Sequence, residues 1–451
     1  DEGPEAGGPY APYYQSQRAE RYQRAVDELL ARGAAYRDYA TTEEIQAERA
    51  AAEKDKRAFL YSRKWLAATD ADAKRFEAEG RKGVVRLKMP REGQCRFRDL
   101  VRGDVAFDWA NEQDHVVQRA DGTCLYHLAS AVDDHDFRIT HVIRAVEHLS
   151  NTPRQIFIMQ GLGYDLPELA HLPYVAEPGS QNKLSKRKIA QYLKHADFKR
   201  LYDHGIDIAT KIGHATTPET FNPVVVDFYR VTGYSPEVLL NYLLLLGWSL
   251  DDSREEFTRA QMIELFTLER VNKSPASFDP QKLWAFQDRH MRSVPLERKV
   301  PAALEYLKAA KLVAEPVPAD IEPHVRRVIA AAGDRIKTTG DILMFREFFV
   351  PDDALPVAGA EFDKALKAPG ARDLLRDFAA RLDTVAPFEA AALEAALKAF
   401  VAERGKKVAD LVHPLRFAVT GRTVGLGLYD ALAILGPTRS RIRIERAIAA
   451  A

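Results

Sequence analysis

An alternation of strand and helix patterns that begins near Leu125 constrains the fold of this chain more than any other feature. Residues 139–144 (Ile-Thr-His-Val-Ile-Arg) are typical of a buried strand, and residues 150–153 (Ser-Asn-Thr-Pro) supply capping residues and a proline suited to a first helical turn. In an open parallel sheet, ligands bind beyond the carboxyl ends of the strands. We therefore predict an α/β domain in which Arg144 meets an anion; a structural ion pair is the alternative role for Arg144.

Two other patterns flank this region. Helical stretches at 19–32 and 41–57 precede short β segments, which predicts a small mixed domain over 22–125; the β segments are 84–88, 104–108 and 115–119. After Pro301 the chain is nearly all helical. Because 451 residues are too many for one ordinary core, we expect about two to four domains.

Composition excludes several classes of protein. Lys plus Arg and Asp plus Glu each number 65, so a uniformly basic nucleic-acid coat is excluded and RNA binding requires local patches. The two cysteines, Cys95 and Cys124, are far apart, which supports neither a disulfide framework nor a Cys-based zinc site and fits a reducing cytoplasm. The longest apolar run, 238–248, is too short to cross a bilayer. We predict that 239–248 is a helix packed into a core.

A basic segment at 183–188 (Lys-Leu-Ser-Lys-Arg-Lys) follows the loop-like residues 177–182 (Glu-Pro-Gly-Ser-Gln-Asn). Pro and Gly break regular structure, so the cluster is predicted to lie on a mobile loop and not on a helix face. Lysine ammonium groups act as point charges on phosphate oxygens, and a loop can close as charge moves to a leaving pyrophosphate. A solvated charge run or a localisation-like signal is the alternative for an isolated hexamer of this kind.

Two further features leave alternatives open when each is taken alone. Residues 133–136 (Asp-Asp-His-Asp) resemble a set of metal ligands. Contiguous ligands in an extended segment point to alternating sides, however, so a polar turn that lines a pocket is favoured over a metal site. Tyr126 alone is typical of a core tyrosine with a satisfied hydroxyl.

The order of the motifs is more informative than any one of them. Five segments follow one another: 126–129 (Tyr-His-Leu-Ala), 132–135 (Val-Asp-Asp-His), 140–144 (Thr-His-Val-Ile-Arg), 151–155 (Asn-Thr-Pro-Arg-Gln) and 183–187 (Lys-Leu-Ser-Lys-Arg). Flanking matches occur at 1–4, 13–16, 85–88, 239–243, 246–248, 414–416 and 419–421. In this order the segments resemble those of glutamyl-tRNA synthetases, and 183–187 resembles the KMSKS motif of class I aminoacyl-tRNA synthetases. The resemblance covers nearly the whole chain.

The resemblance implies an α/β fold of a particular kind. It has a class I, Rossmann-like catalytic domain, an inserted α+β acceptor-stem domain and an all-α C-terminal anticodon-binding domain. The implied parts are a remnant of the N-terminal catalytic half (1–21), the acceptor-stem insertion (22–125), the second half of the catalytic domain (126–182), the signature loop with the stem-contact region (183–300) and the anticodon-binding domain (301–451).

The resemblance also implies roles for particular residues. Tyr126 matches the tyrosine that contacts glutamate, Arg144 matches the arginine of the amino-acid pocket, and Glu147 falls beside the site as polar lining. Lys186 matches the second lysine of the signature loop, which binds ATP phosphates and stabilises the transition state of adenylate formation. Its neighbours Lys183, Ser185 and Arg187 complete the implied ATP-binding set.

The implied reaction is activation of L-glutamate by ATP with Mg²⁺, followed by transfer to the terminal adenosine of tRNA(Glu). The expected partners are therefore tRNA(Glu), L-glutamate and ATP, with no membrane, and the expected state is a cytoplasmic monomer. Two alternatives remain open: a catalytically inactive tRNA-binding descendant of the family, and a non-discriminating ligase that also charges tRNA(Gln). A glutaminyl enzyme is less favoured, because that family ends in β-barrels, whereas the C-terminal third here is helical.

Three departures from the family pattern qualify these expectations. The opening strand and the HIGH motif have no counterpart, so we expect an N-terminally incomplete chain that is impaired in activation as printed. The region that carries zinc ligands in many bacterial members reads Arg-Asp-Tyr-Ala-Thr at 37–41, and no zinc or other metal site is expected. An extra segment is predicted at 189–224, where it covers the signature loop or contacts the tRNA stem.

Overall fold

The computed structural model describes residues 2–57 and 59–451. The strands are β1 (Ala35–Asp38), β2 (Val84–Leu87), β3 (Gln94–Asp99), β4 (Gly103–Asp108), β5 (Val116–Gln118), β6 (His141–Ala145), β7 (Glu168–Leu172), β8 (Val175–Ala176) and β9 (Ala276–Ser277). The helices of the first half are α1 (Ala19–Ala31), α2 (Thr42–Lys54), α3 (Asp70–Ala78), α4 (Tyr126–Asp136), α5 (Thr152–Leu162), α6 (Ile189–Tyr192), α7 (Ala196–Lys211) and α8 (Val226–Thr232). Those of the second half are α9 (Pro236–Leu245), α10 (Arg259–Leu265), α11 (Pro280–Ser293), α12 (Leu296–Ala309), α13 (Ile321–Ala332), α14 (Ala360–Leu366), α15 (Ala371–Leu382), α16 (Ala390–Glu403), α17 (Val408–Thr420) and α18 (Leu428–Ala450).

The chain forms two compact units. The first contains the described residues up to Val175 together with Leu245–Glu255 and Ala260–Ala276. The second contains Ala176–Leu244, Glu256–Arg259 and Ser277–Ala451. Among the described residues, no helix combines the length and the apolar character that a membrane span requires.

A small antiparallel sheet in the first unit has the strand order β1-β2-β5. The predicted strands at 84–88 and 115–119 are confirmed as β2 and β5, whereas β1 and α3 were not predicted. The sheet is reinforced by the buried carboxylate of Asp114, which accepts hydrogen bonds from the Tyr36 hydroxyl (2.8 Å) and from Arg63 Nε (2.6 Å). Burial of this charge is tolerated because it is paired and hydrogen-bonded.

A second sheet of the first unit has the order β4-β3-β7-β6. The β3 and β4 strands form an antiparallel hairpin, while β7 runs parallel to both β3 and β6. This sheet combines strands from both sides of residue 125, where the sequence predicts a domain boundary; the domain limits stay predictions. The strand predicted at 139–144 is confirmed as β6, but its predicted burial is wrong. In the described sheet β6 is an edge strand, and its residue Ile143 is 49% exposed.

Helices α1, α4 and α5 pack against one another beside these sheets. The helix predicted at 19–32 is confirmed as α1, which buries an apolar face with Val26 and Leu29, and the chain turns after it at Gly33, whose φ is +70°. Residues 133–136 form the last turn of α4, so the expectation of an extended segment is wrong, whereas the expected lining of a pocket is met by Asp134. The carboxylates of Asp133 and Asp136 pair with Arg18.

Arg18 is buried between α1 and α4. Its Nε donates to Asp133 Oδ1 at 2.7 Å, and its Nη2 donates to Asp136 Oδ2 at 2.6 Å. The Tyr22 hydroxyl also donates to Asp133 at 2.8 Å. Arg18 is 1% exposed, so solvent ions screen this ion pair only weakly. The pair holds α1 and α4 together.

The second unit is helical, as predicted for the chain after 301. Its main core is formed by apolar residues from α11 to α18, including Leu307, Phe378, Leu415 and Ile444. The segment 189–224 contributes α6 and α7. The Phe198 and Ile208 side chains of α7 are buried.

The apolar run at 239–248 is helical only as far as Leu245, where α9 ends. Val238 and Tyr242 are buried, but Leu240 is 47% exposed and Leu243 is 56% exposed. The prediction of a helix packed into a core is therefore wrong for one face of α9. An all-apolar run cannot indicate which of its faces the tertiary structure covers.

Candidate active site

The centre of the candidate site is the side chain of Arg144 on β6. Strands β6 and β7 pair in parallel with Arg144 opposite His171, so the two side chains lie on the same face of the sheet. Arg144 Nε donates to His171 Nε2 at 3.0 Å, and Arg144 Nη2 donates to the Thr152 hydroxyl at 3.0 Å. Thr152 is the first residue of α5. The guanidinium is therefore held by one neighbour from the sheet and one from the following helix.

His171 is in turn held by Asp99, the last residue of β3. The His171 ring and the Asp99 side chain are both fully buried, and Nδ1 of His171 lies 2.5 Å from Asp99 Oδ2. Asp99 Oδ1 accepts backbone N–H groups of Val101 (3.0 Å), Arg102 (2.8 Å) and His171 (3.2 Å). The carboxylate is thereby oriented on both of its oxygens.

Burial dominates the electrostatics of this group of side chains. It lowers the pKa of Arg144 and, despite the hydrogen bond to Asp99, lowers the pKa of His171 as well. For Asp99, burial alone would raise the pKa, but the hydrogen bonds from His171 and from backbone N–H groups outweigh it, so the pKa is lowered. Asp99 is thus kept ionised and His171 neutral at ordinary pH.

Tyr126, the first residue of α4, lies beside Arg144. Charge interaction with its nearby hydroxyl partly offsets the lowering of the Arg144 pKa by burial. Tyr126 is 50% exposed, so the alternative of a core tyrosine is wrong. The structure thus brings together the two residues that the sequence assigns to the glutamate pocket.

Asp134 and Glu147 have different surroundings. Burial raises the pKa of Asp134 to about 6, against the opposing effect of Arg144. Glu147 lies on a 3-10 helix, Val146–Asn151, with its Oε1 3.6 Å from Nε2 of His148. Its side chain is exposed, and its part in lining the site stays a prediction.

An open cleft begins at Tyr126 and extends along the small sheet. Arg49, Arg86 and His127 are among the residues that line it. Burial, together with the nearby cations, lowers the pKa of His127 to about 4, so this imidazole is neutral. Among the described residues, no hydrogen-bond partner is found for its buried Nδ1.

The predicted ATP-binding residues lie in the second unit. Lys183 forms an isolated backbone bridge with Ala176, and the Ser185 N–H donates to the Tyr192 hydroxyl at 3.0 Å. The side chains of Lys186 and Arg187 are exposed. The predicted loop is only part of the local structure, because Lys186–Lys188 form a single 3-10 turn that leads into α6.

A buried acid anchors the end of this turn. Lys188 Nζ donates to Glu177 Oε1 at 2.5 Å, and Glu177 is 3% exposed. The hydrogen bond to Glu177 raises the pKa of Lys188.

The sequence did not indicate Asp99 or His171, and it indicated Thr152 only as part of the 151–155 motif and not as a neighbour of Arg144. The strands β3 and β7 were not predicted, so two of these residues had no place in the expected sheet. A usable signal was present in β7, which reads Glu-Leu-Ala-His-Leu. A histidine within a short apolar strand requires a buried hydrogen-bond partner.

Comparison with known proteins identifies the family. A family model described as "tRNA synthetases class I (E and Q), catalytic domain" matches residues 4–212 and 221–285. A second, described as "Anticodon binding domain", matches 300–448. The chain belongs to the class I (E and Q) tRNA synthetases. The segment predicted to be extra in this synthetase is 189–224. The catalytic match includes its residues 189–212 and 221–224 and leaves out 213–220.

Curated relatives of this synthetase are matched over almost its whole length. It is 39% identical over 450 residues to a glutamate–tRNA ligase of Moorella thermoacetica, which covers 99% of this chain and 84% of that protein. It is 35% identical over 458 residues to a glutamate–tRNA ligase of Desulforudis audaxviator, with 100% and 83% covered. The predicted resemblance to glutamyl-tRNA synthetases is confirmed.

Solved structures agree with this assignment. The synthetase matches a glutamate tRNA ligase from Elizabethkingia meningosepticum, solved in complex with its amino acid, with a TM-score of 0.79 at 27% identity. That match covers 100% of this chain and 86% of the other. The glutamate-tRNA synthetase of Elizabethkingia anophelis matches with a TM-score of 0.75. The predicted class I fold with a helical anticodon-binding domain is confirmed.

Proposed function

We propose that this protein is a glutamate–tRNA ligase, which activates L-glutamate with ATP and transfers the glutamyl group to the 3′ end of tRNA(Glu). The observation that carries the proposal is the 39% identity to a glutamate–tRNA ligase over 99% of the chain. The Arg144 site supports it independently, because a fixed guanidinium beside a tyrosine hydroxyl suits a carboxylate substrate.

Glutamate binds at Tyr126 and Arg144 in this proposal. Arg144 has two of its three nitrogens engaged, by His171 and by Thr152, so the remaining N–H groups are presented in a fixed direction. A planar guanidinium held in this way matches a carboxylate through paired, charge-assisted hydrogen bonds. Glu147 contributes polar lining near the 3-10 helix that follows β6.

ATP enters as its Mg²⁺ complex and meets the signature loop. Lys186 contacts the phosphates and stabilises the negative charge that moves to the pyrophosphate leaving group, assisted by Lys183, Ser185 and Arg187. The glutamate carboxylate attacks the α-phosphate, so the enzyme supplies position and positive charge and no covalent nucleophile. A hydroxyl of the terminal adenosine of tRNA(Glu) then takes the glutamyl group from the adenylate, and AMP leaves.

The remaining expectations belong to this proposal. Within residues 2–57 and 59–451, no group of three or more His, Cys, Asp and Glu side chains is placed to hold a metal ion, and the absence of zinc stays a prediction. Cys95 and Cys124 are free thiols, which supports a reducing cytoplasm. We also propose that the protein is a monomer and that residues 301–451 bind the anticodon.

The decisive experiment is tRNA charging with labelled glutamate and ATP. The protein is assayed on purified tRNA(Glu) and on purified tRNA(Gln). We expect charging of tRNA(Glu). Charging of both tRNAs establishes a non-discriminating ligase, whereas tight tRNA binding without charging or pyrophosphate exchange overturns the proposal in favour of an inactive tRNA-binding protein.

A further inference from the structure

The hydrogen bonds behind Arg144 allow only one arrangement of protons. An ionised carboxylate accepts hydrogen bonds but cannot donate them, and a guanidinium donates but cannot accept. His171 lies between Asp99 and Arg144, with Nδ1 at 2.5 Å from Asp99 Oδ2 and Nε2 at 3.0 Å from Arg144 Nε. The imidazole must therefore be neutral, carry its proton on Nδ1 and accept through Nε2.

This arrangement determines the direction in which Arg144 faces. Its Nε is directed at His171 and its Nη2 at Thr152, so the edge formed by Nη1 and the second Nη2 hydrogen is left for an anion. A protonated His171, or the opposite tautomer, would place an N–H against the N–H of Arg144 Nε. Either change would remove one support of the guanidinium and repel it.

We infer that Asp99 and His171 are positioning residues that lock Arg144 in the orientation needed to bind the glutamate carboxylate. The inference rests on the proposed function, because Arg144 is assigned to the glutamate pocket there. Asp99 acts through His171 and touches no substrate. Its backbone partners, the N–H groups of Val101, Arg102 and His171, hold the carboxylate in the one orientation that selects this tautomer.

The substitution Asp99→Asn tests the tautomer with little change in volume. The Asn carbonyl oxygen can keep the three backbone hydrogen bonds that Oδ1 now accepts, which places the amide nitrogen at the position of Oδ2. This nitrogen donates, so it forces Nδ1 of His171 to accept and moves the ring proton to Nε2. There the proton opposes Arg144, and the guanidinium loses its support.

The expected result in Asp99→Asn is a KM for glutamate raised on the order of 10-fold, with kcat and the KM for ATP little changed. Selective ¹⁵N labelling of histidine should show the His171 proton on Nδ1 in the parent and on Nε2 in Asp99→Asn. The matched control is Asp27→Asn on α1, an exposed carboxylate that accepts a hydrogen bond from Gln23 at 2.9 Å. This control should leave both measurements unchanged.

A second pair of variants tests the other support of Arg144 and does not depend on the folding of Asp99→Asn. Thr152→Val removes the hydroxyl that accepts from Arg144 Nη2, whereas Thr152→Ser keeps it. We expect the KM for glutamate to rise in Thr152→Val and to stay near the parent value in Thr152→Ser. Equal values in the two variants would contradict the locking of Arg144.

The outcomes separate this inference from the proposed function. If the parent charges tRNA(Glu) and Asp99→Asn keeps the parent KM for glutamate, the positioning role is wrong and the function stands. A His171 proton found on Nε2 in the parent also overturns the inference. If the parent does not use glutamate, the proposed function fails, and the inference fails with it even where the ring carries its proton on Nδ1.

Discussion

Asp134 offers a stability test whose sign and size both follow from its surroundings. The carboxyl group borders a narrow cavity whose lining is mostly apolar and includes Val142, Ile156 and Met159. Burial raises its pKa from an ordinary value of 3.8 to about 6. At 1.36 kcal/mol per pKa unit, the ionised form is disfavoured in the folded protein by about 3 kcal/mol.

The sign of the effect follows from linkage. Because the pKa is higher in the folded state, the folded protein holds this proton more tightly than the unfolded chain does. The stabilisation from this group is complete below pH 4 and is lost as the pH rises through about 6. Asp134→Asn removes the ionisation, so at neutral pH the variant should be more stable than the parent.

Urea unfolding followed by tryptophan fluorescence measures this difference. The first unit contains Asp134 and three of the four tryptophans, Trp65, Trp109 and Trp248. Most of the fluorescence signal therefore reports on the unfolding of the unit that holds Asp134. We expect Asp134→Asn to gain about 2 kcal/mol more relative to the parent at pH 7.5 than at pH 4.5. The same stability difference at both pH values would refute the reasoning. Asp27→Asn, which removes an exposed carboxylate, is the control and should lack this pH dependence.

The remaining predictions concern Lys186, Arg144 and the buried ion pair of Arg18. Lys186→Ala should lower the rate of glutamate activation by about 100- to 1,000-fold in a pyrophosphate exchange assay, with tRNA affinity almost unchanged, because its contact strengthens only in the transition state; unchanged turnover would remove Lys186 from the mechanism. Arg144→Ala should raise the KM for glutamate about 100-fold in steady-state charging and leave the KM for ATP near the parent value, and an unaltered glutamate dependence would exclude it from the pocket. Arg18→Ala leaves Asp133 buried without its cation and should cost about 3–5 kcal/mol in urea unfolding; a loss below about 1 kcal/mol would show that the pair contributes little.

Several elements could be predicted from the sequence because their signals are local. The apolar spacing of α1 specifies which of its faces is buried, and Val26 and Leu29 lie on that face. The start of α2 has a local signal of the same kind, since Thr41 and Glu44 form a capping box. The pairing of Tyr126 with Arg144 was also predicted, but from the order of the motifs and not from spacing.

Other features depend on pairings between distant parts of the chain. Exposure of Ile143 and Leu243 follows from which faces the rest of the protein covers, and a run of apolar residues does not carry that information. The burial of Arg18 requires α4 to lie beside α1, more than one hundred residues later in the sequence. No local rule predicts an ion pair of that kind.

The sequence by itself determined the family and the buried face of α1, because motif order and side-chain periodicity are properties of the linear chain. Only the tertiary structure decided what stands behind Arg144. Asp99 and His171 are 72 residues apart, and they meet because β7 pairs in parallel with both β3 and β6. The topology of the sheet places Asp99 beside His171. The buried carboxylate of Asp99 can only accept hydrogen bonds, so it keeps the His171 proton on Nδ1, and the orientation of Arg144 depends on that proton.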